Sequence, residues 1–368
     1  MPVDPVPATE EHRFPCPSCG ANLRFAPGED RLICRHCGYN EPVDGAQTAP
    51  PAIRELDFQA ALNAQLPQQE IEETRVVKCT NCGAEVEADP TSHAHECPFC
   101  ASPIVTDTGT HRHIKPRGLL PFALSESDAR GAMNTWLGRL WFAPNGLREY
   151  ARRDRRMQGI YVPFWTYDAD TKTAYRGERG DDYYVTRTVM RDGKPTQVQE
   201  RRTRWRPASG KVARFFDDVL VLASKSLPKG YTDALEPWDL AALEPYRPEF
   251  LAGFRAEGYT VELAQGYDEA RTRMDRIIAR DVRFDIGGDH QRIHTLDTTV
   301  SDVTFKHILL PVWLAAYRYR GKSYRFVVNG RTGQVRGERP WSVWKITFAV
   351  ILGALLAAGL GYAFANLQ

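Results

Sequence analysis

A chain of 368 residues with 42% apolar content has room for two or three domains and a sizeable core. The net charge of +2 hides an asymmetry: residues 1–110 carry 17 Asp or Glu against 7 Lys or Arg, a balance of −10, and the remaining 41 basic and 29 acidic residues leave +12. Binding to nucleic acid relies on Lys and Arg neutralising phosphates, so the acidic first third is a poor candidate for it. Met1 to Phe14 contains no apolar h-region, and no signal peptide is expected.

All eight cysteines fall into two copies of one pattern. Cys16, Cys19, Cys34 and Cys37 read C-x2-C-x14-C-x2-C, and Cys79, Cys82, Cys97 and Cys100 repeat it with the same spacer. Each C-x2-C pair is a knuckle that aims two thiolates at one ion, and two knuckles close a tetrahedral S4 shell. Gly20, Gly38 and Gly83 follow the second cysteine of their knuckles, where a positive φ is favoured; the fourth knuckle has Ala101. A pair of disulfides, or eight ordinary buried thiols, is the alternative, against which stand the duplicated spacing and the use of every cysteine. Two structural Zn2+ are therefore expected, with no open coordination position for catalysis. Each S4 zinc adds −2, bringing the region to about −14. Thiolate sites also call for a reducing compartment, which faces residues 1–110 to the cytosol. His36, His93 and His95 are read as surface residues beside complete thiolate shells.

The first ribbon is expected over 14–40. A linker over 41–75 carries a short helix capped by Asp57, with Leu56, Phe58, Ala61 and Leu62 as its apolar contacts, and the second ribbon covers 76–106. Residues 112–338 read as one α+β domain rich in antiparallel sheet. Ser125 and Asp128 form a capping box ahead of Ala129, Ala132, Met133, Trp136, Leu137 and Leu140 at helical spacing. A second short helix is predicted around Leu147–Met157. Strands follow at Tyr161–Tyr167, Tyr183–Met190, Gln197–Trp205 and Val212–Ala223, with turns at Asp192-Gly193 and Ser209-Gly210. Leu235–Pro248 reads as a loop with short helical turns, and Tyr267–Arg280 as a helix. A closing meander spans Leu309–Tyr319, Ser323–Val328 and Gln334–Arg336, with Asn329-Gly330 as a type I′ turn. Tyr161-Val162-Pro163-Phe164-Trp165 echoes Leu309-Leu310-Pro311-Val312-Trp313, which reads either as a duplicated meander or as coincidence; each Pro marks an edge strand or a strand start.

No phosphate loop, dinucleotide fingerprint, nucleophile elbow or HExxH helix occurs, so no enzyme is predicted. Gly287-Gly288-Asp289-His290 with His294 reads as ordinary loop chemistry. Arg152, Arg153, Arg155 and Arg156, with Arg201, Arg202, Arg204 and Arg206, fit either a solvated surface or contact with acidic lipids or an acidic partner. Ile346 to Ala365 is a 20-residue stretch without a charge, long enough to cross a bilayer, and the anchor is assigned to 341–366. Trp341 and Trp344 precede it, and Arg331, Arg336, Arg339 and Lys345 flank its N-terminal side, which predicts a single-pass, tail-anchored protein of the inner membrane with a cytoplasmic N-terminal region. Gly353, Ala357, Gly361 and Ala365 form a small-residue stripe suited to pairing with another transmembrane helix.

The tandem ribbons, the segment Gly159-Ile160-Tyr161-Val162-Pro163-Phe164-Trp165, the stretch Thr304 to Trp313, and Val328-Asn329-Gly330-Arg331-Thr332-Gly333 before a terminal apolar helix resemble bacterial TFIIB-type zinc-ribbon membrane proteins. Such proteins are often labelled primosomal protein N′ or superfamily II helicase, a label the missing nucleotide-binding loop does not support here. The resemblance implies a membrane component that works with an SPFH-type protein and with a phage-shock-protein-A-like partner in envelope stress. It transfers the eight cysteines as metal ligands and no catalytic residue. The function expected is that of a membrane-anchored adaptor displaying zinc ribbons to cytosolic partners. The alternative is a membrane-tethered nucleic-acid-binding or transcription-related protein.

Overall fold

Residues 14–43, 53–79, 83–87, 94–97, 99, 103–105, 108–142, 157–191, 194–319, 322–338 and 342–365 are described by the structure, a computed structural model. The first ribbon is built from β1 (Arg24–Ala26), β2 (Arg31–Ile33) and β3 (Asn40–Pro42), paired antiparallel in chain order. In the linker, β4 (Leu56–Asp57) leads into α1 (Phe58–Leu62), and the Asp57 carboxylate caps the helix by accepting the Ala60 N–H at 2.6 Å. Leu56 and Phe58 are buried, whereas Leu62 is exposed. Next, β5 (Ile71–Lys78) pairs with β6 (Glu85–Glu87) and β9 (Thr108–Ile114), and β7 (Ala94–Glu96) pairs with β8 (Pro103–Val105).

The rest of the fold is an α+β body on one nine-stranded, mostly antiparallel sheet. It comprises β10 (Gly118–Leu119), α2 (Glu126–Gly138), β11 (Gln158–Arg191), β12 (Lys194–Leu222), α3 (Lys229–Asp233), β13 (Glu244–Pro245), β14 (Arg255–Ala256), α4 (Leu263–Ile286), β15 (His290–Tyr319), β16 (Lys322–Asn329) and β17 (Val335–Gly337), with β4 of the linker paired to β15 as the ninth strand, followed by α5 (Val343–Ala365). The Ser125–Asp128 capping box is present, and Ala129, Met133 and Leu137 are buried at helical spacing. The helix predicted at Leu147–Met157, with its four arginines, lies outside the described residues apart from Met157.

The strands are longer than the sequence predicts. Tyr161–Tyr167 and Tyr183–Met190 belong to the single strand β11, and Gln197–Trp205 and Val212–Leu222 to β12, which ends one residue before the predicted Ala223. Arg191 pairs with Lys194, and the turn expected at Asp192-Gly193 lies outside the described residues. No turn occurs at Ser209-Gly210. Gly210 pairs with Tyr175 in mid-strand, and a Cβ there would lie 2.7 Å from the Tyr175 hydroxyl and 2.9 Å from Asp285 Oδ2, so the glycine serves the close approach of α4. Helix α4 likewise runs beyond the predicted Tyr267–Arg280. Its buried stripe of Leu263, Ala270, Met274, Ile278, Val282 and Ile286 is interrupted by Gly266, which faces Trp165 and Tyr167.

The proline-containing echo has a structural counterpart. The two segments pair with each other in antiparallel β11 and β15, Tyr161 opposite Pro311 and Pro163 opposite Leu309. On its outer side β11 meets first the parallel strand β14 at Ile160–Tyr161 and then antiparallel β12 from Phe164; β15 meets parallel β10 at Ile308–Leu309 and then antiparallel β16 from Val312. The matching contacts agree. The Pro163 carbonyl accepts the Ala223 N–H and the Pro311 carbonyl the Gly330 N–H, while Trp165 Nε1 donates to Val261 O and Trp313 Nε1 to Leu124 O. Each carbonyl reached by a tryptophan lies just before a helix N-cap, Glu262 or Ser125. The repeated unit is thus β–α–β–β, larger than a meander. Both prolines lie inside the sheet rather than on an edge strand, because each sits where one outer neighbour has ended and the next has not begun, so no ladder bond is lost.

A second correction concerns Asn329-Gly330. Asn329 is fully buried without a positive φ; its Oδ1 accepts the N–H groups of Arg331 and Thr332, its Nδ2 donates to Leu235 O, and Gly333 takes the positive φ instead. The loop is closed by a side chain rather than by a type I′ turn.

Candidate metal centre and charged junction

The first ribbon brings its four predicted ligands together. Cys16 Sγ lies 3.5 Å from Cys37 Sγ and Cys19 Sγ 3.5 Å from Cys34 Sγ, with all four sulfurs within 4.8 Å of one another. A tetrahedron with metal–sulfur bonds of ~2.3 Å has edges of about 3.8 Å, so the donor set fits one ion such as zinc. Backbone geometry produces this. Gly20 N–H donates to Cys16 O and Gly38 N–H to Cys34 O, with φ of 75° and 78° at the two glycines. The backbone N–H groups of Cys37 and His36 draw the Cys34 thiol down to about 6 against its burial.

This ribbon is part of the body. Phe25 N–H donates to Ala252 O and Gly28 N–H to Phe122 O, and Phe25 meets Phe250 edge-on at 5.2 Å. Cys16, Leu23, Phe25, Leu32, Cys34 and Val43 share one core with α2 and the sheet, and Cys19 and Cys37 remain exposed.

In the second pattern, Cys79 repeats the first knuckle bond for bond: Cys79 N–H donates to Ala84 O, Gly83 N–H to Cys79 O, and Gly83 has φ 75°. Cys79, Cys97 and Phe99 are buried in a core shared with Ile160, Leu222 and Trp238. Cys82 and Cys100 lie outside the described residues, as does His93. His36 is exposed.

A charged junction that the sequence reading missed lies where β11 leaves the body. At Asp168 the register slips against both neighbours, and Asp218 and Asp302 take φ of 51°. Lys306 is buried there, its Nζ 2.7 Å from Asp218, 3.0 Å from Glu55 and 3.9 Å from Asp168. Asp168 also accepts the Asp218 N–H at 2.6 Å. Burial and the hydrogen bond with Glu55 push Asp168 up to about 7; against its own burial, Glu55 is held down at about 2 by Asp168, Thr304 and Lys306. The carboxylates of Asp168, Asp217 and Asp218 are close enough to share a cation, and the Lys306 ammonium already supplies one. The available signal was a charge inside each apolar strand run: Asp168 after Trp165 and Tyr167, and Lys306 between Phe305 and Ile308. Gly287 and Gly288, both at positive φ, join α4 to β15. Asp289 and His290 then bind Asp182, so the predicted loop chemistry tethers the sheet.

Helix α5 is long and apolar enough to span a membrane, and no residue of Val343–Leu360 is buried. Its root is fixed to the body: Ser342 N–H donates to Phe142 O at 2.8 Å and Lys345 Nζ to Trp141 O at 3.2 Å. Trp141 and Trp344 are exposed beside that root.

Over nearly its whole length the chain is similar to Uncharacterized protein YdjG of Bacillus subtilis (strain 168), 25% identical over 362 residues that cover 94% of this chain and 95% of the relative. No family model matches the chain, and no solved structure matches it.

Two outcomes are expected. Cys37→Ser should lower the zinc content of protein purified under reducing conditions by one ion per chain and weaken the body with it, since Cys16 and Cys34 line its core. Unchanged metal content by elemental analysis would remove these residues as ligands. The junction predicts a pH effect. Asp168 holds a proton in the folded chain up to about 7 but is released from it near 3.8 when unfolded, so its contribution to stability declines as pH rises across that window. Asp168→Asn keeps the hydrogen bonds and removes the titration. On going from pH 5 to pH 8 the parent should therefore lose more stability, or gain less, than the variant, because the buried His307, held down at about 4, adds the same opposing rise to both. An identical pH slope in the two proteins would contradict the assignment.

Proposed function

We propose that this chain is a membrane-anchored adaptor that brings cytosolic proteins to the inner face of the membrane, in the setting of envelope stress. The observation that carries the reading is α5: an apolar helix with no buried face, rooted in the body by Ser342 and Lys345. A helix apolar all round and uncovered calls for lipid or for another helix. Trp141 and Trp344 then sit at the headgroup level, where tryptophan is favoured. Two structural zinc ions complete the body, the first held by Cys16, Cys19, Cys34 and Cys37 and the second by Cys79, Cys82, Cys97 and Cys100. The repeat of the knuckle geometry at Cys79 supports the second site.

Closed S4 shells leave no open metal position, and the raised carboxyl of Asp168 is engaged with Glu55 and the Asp218 N–H, which favours a binding role over an enzymatic one. The resemblance to TFIIB-type zinc-ribbon membrane proteins makes an SPFH-type or phage-shock-protein-A-like protein the first partner to test. The sequence reading assigned docking to the ribbon surfaces. Burial of the first ribbon's apolar face in the body leaves only its knuckle side for that role.

The test is fractionation. At least one cytosolic protein should leave the membrane fraction in cells lacking this chain and return with the full chain, but not with a form ending at residue 340. That shortened form should itself be soluble after a high-pH wash. If no protein changes its fractionation, the adaptor reading fails.

A further inference from the structure

Past the pairing of Gly180 with His290 the sheet narrows to two strands. Asp181–Arg191 and Lys194–Arg204 pair residue for residue, and among the described residues no third strand accompanies them. This arm extends about 35 Å at ~3.3 Å per residue. Two-stranded hairpins without a packed face are marginally stable in water.

One face of the arm continues a face that is already covered. Helix α4 packs over Thr171, Thr173 and Tyr175 and ends with Ile286 beside Gly177. Strand alternation carries the same face on to Tyr183, Val185 and Val189, with Val198 paired opposite Arg187 on β12. Among the described residues no helix covers these side chains: Tyr183 is 37% and Val198 43% exposed, and Val185 and Val189 are half-buried. Arg187, Arg202 and Arg204 share this face, Arg204 stacked 5.0 Å over Tyr183. Its two acids are already engaged, Asp181 with Arg179 and Glu200 with Arg202. The opposite face carries exposed Tyr184 and Met190 and the paired Arg201 and Asp182, with Thr186, Thr188, Gln197 and Gln199 between them, and it does not continue the face that α4 covers.

We propose that the arm docks an acidic amphipathic helix of a cytosolic partner, laid end to end with α4 on the same face of the sheet. The proposal rests on the adaptor reading. Continuity with α4 specifies a helix, the valines specify an apolar stripe, and the arginines specify acidic flanks. A second copy is a poor occupant, because copies in one membrane present like-charged arms side by side. Nucleic acid would leave Val185, Val189 and Val198 without a role.

The test uses the full chain in nanodiscs and a synthetic peptide of about 20 residues, ~30 Å long as a helix, with Leu on one stripe and Glu elsewhere. The expected result is saturable binding that weakens about tenfold in the Val185→Thr, Val189→Thr, Val198→Thr variant, whose β-branched residues preserve the strands. Arg187→Glu with Arg204→Glu should weaken it as well. Retained zinc content shows that the variants are folded. Equal binding of a scrambled peptide, or equal binding by the threonine variant, overturns the proposal, and so does a short DNA duplex that displaces the peptide at physiological salt. A shortened chain in which Asn-Gly joins Asp181 to Arg204 separates the two readings. If it still recruits the cellular partner, the arm proposal is overturned and the adaptor reading stands; if even the full chain recruits nothing, the adaptor reading fails while the peptide decides the arm.

Discussion

The antiparallel pairing of β11 with β15 is the constraint on which the rest of the molecule depends. It runs from Gln158 opposite Leu314 to Gly180 opposite His290, and every other strand of the large sheet attaches directly or indirectly to one of these two. Because each long strand takes a short parallel neighbour and then an antiparallel one, two β–α–β–β units interlock around the shared pair. The equivalence breaks in length. Helix α2 packs on the short side, against β16 and β17 and near the root of α5, and α4 lies along the long side toward the arm. Helix α5 and the arm are therefore at opposite ends of one continuous strand of 34 residues, about 110 Å at ~3.3 Å per residue.

Metal and packing act together at the N-terminal region. Small ribbons bury too little apolar surface to fold on their own, and a closed thiolate shell normally compensates. Here the first ribbon gains a second source of stability by turning Leu23, Phe25 and Leu32 into the core of the body. The same contact makes the body depend on the ribbon, so whatever stabilises the four-cysteine cluster also stabilises the body. The junction at Asp168 works differently. A buried lysine among three carboxylates is costly to desolvate, and what it specifies is register, at the point where both neighbouring strands carry an extra residue.

The features legible in the sequence were local ones. The cysteine spacing located the first metal shell, Ser125 and Asp128 located the start of α2, Asp57 located α1, and the apolar run located α5. The misread features were those where a distant neighbour decides. Gly210 looks like a turn residue until Tyr175 and Asp285 are seen to need the space of its missing side chain. Pro163 and Pro311 look like edge markers until the gap between successive outer strands is known. Glu55, Asp168, Asp218 and Lys306 come from four separate segments, and no spacing rule links them.

The central claim of the proposed anchoring is that the arm stands clear of the membrane, separated from α5 by the length of β11. Energy transfer from a donor placed at position 188 to acceptors on lipid headgroups, in nanodiscs carrying the full chain, measures this directly. The account predicts negligible transfer, and transfer comparable to that of a donor at position 141, beside the anchor root, would contradict it.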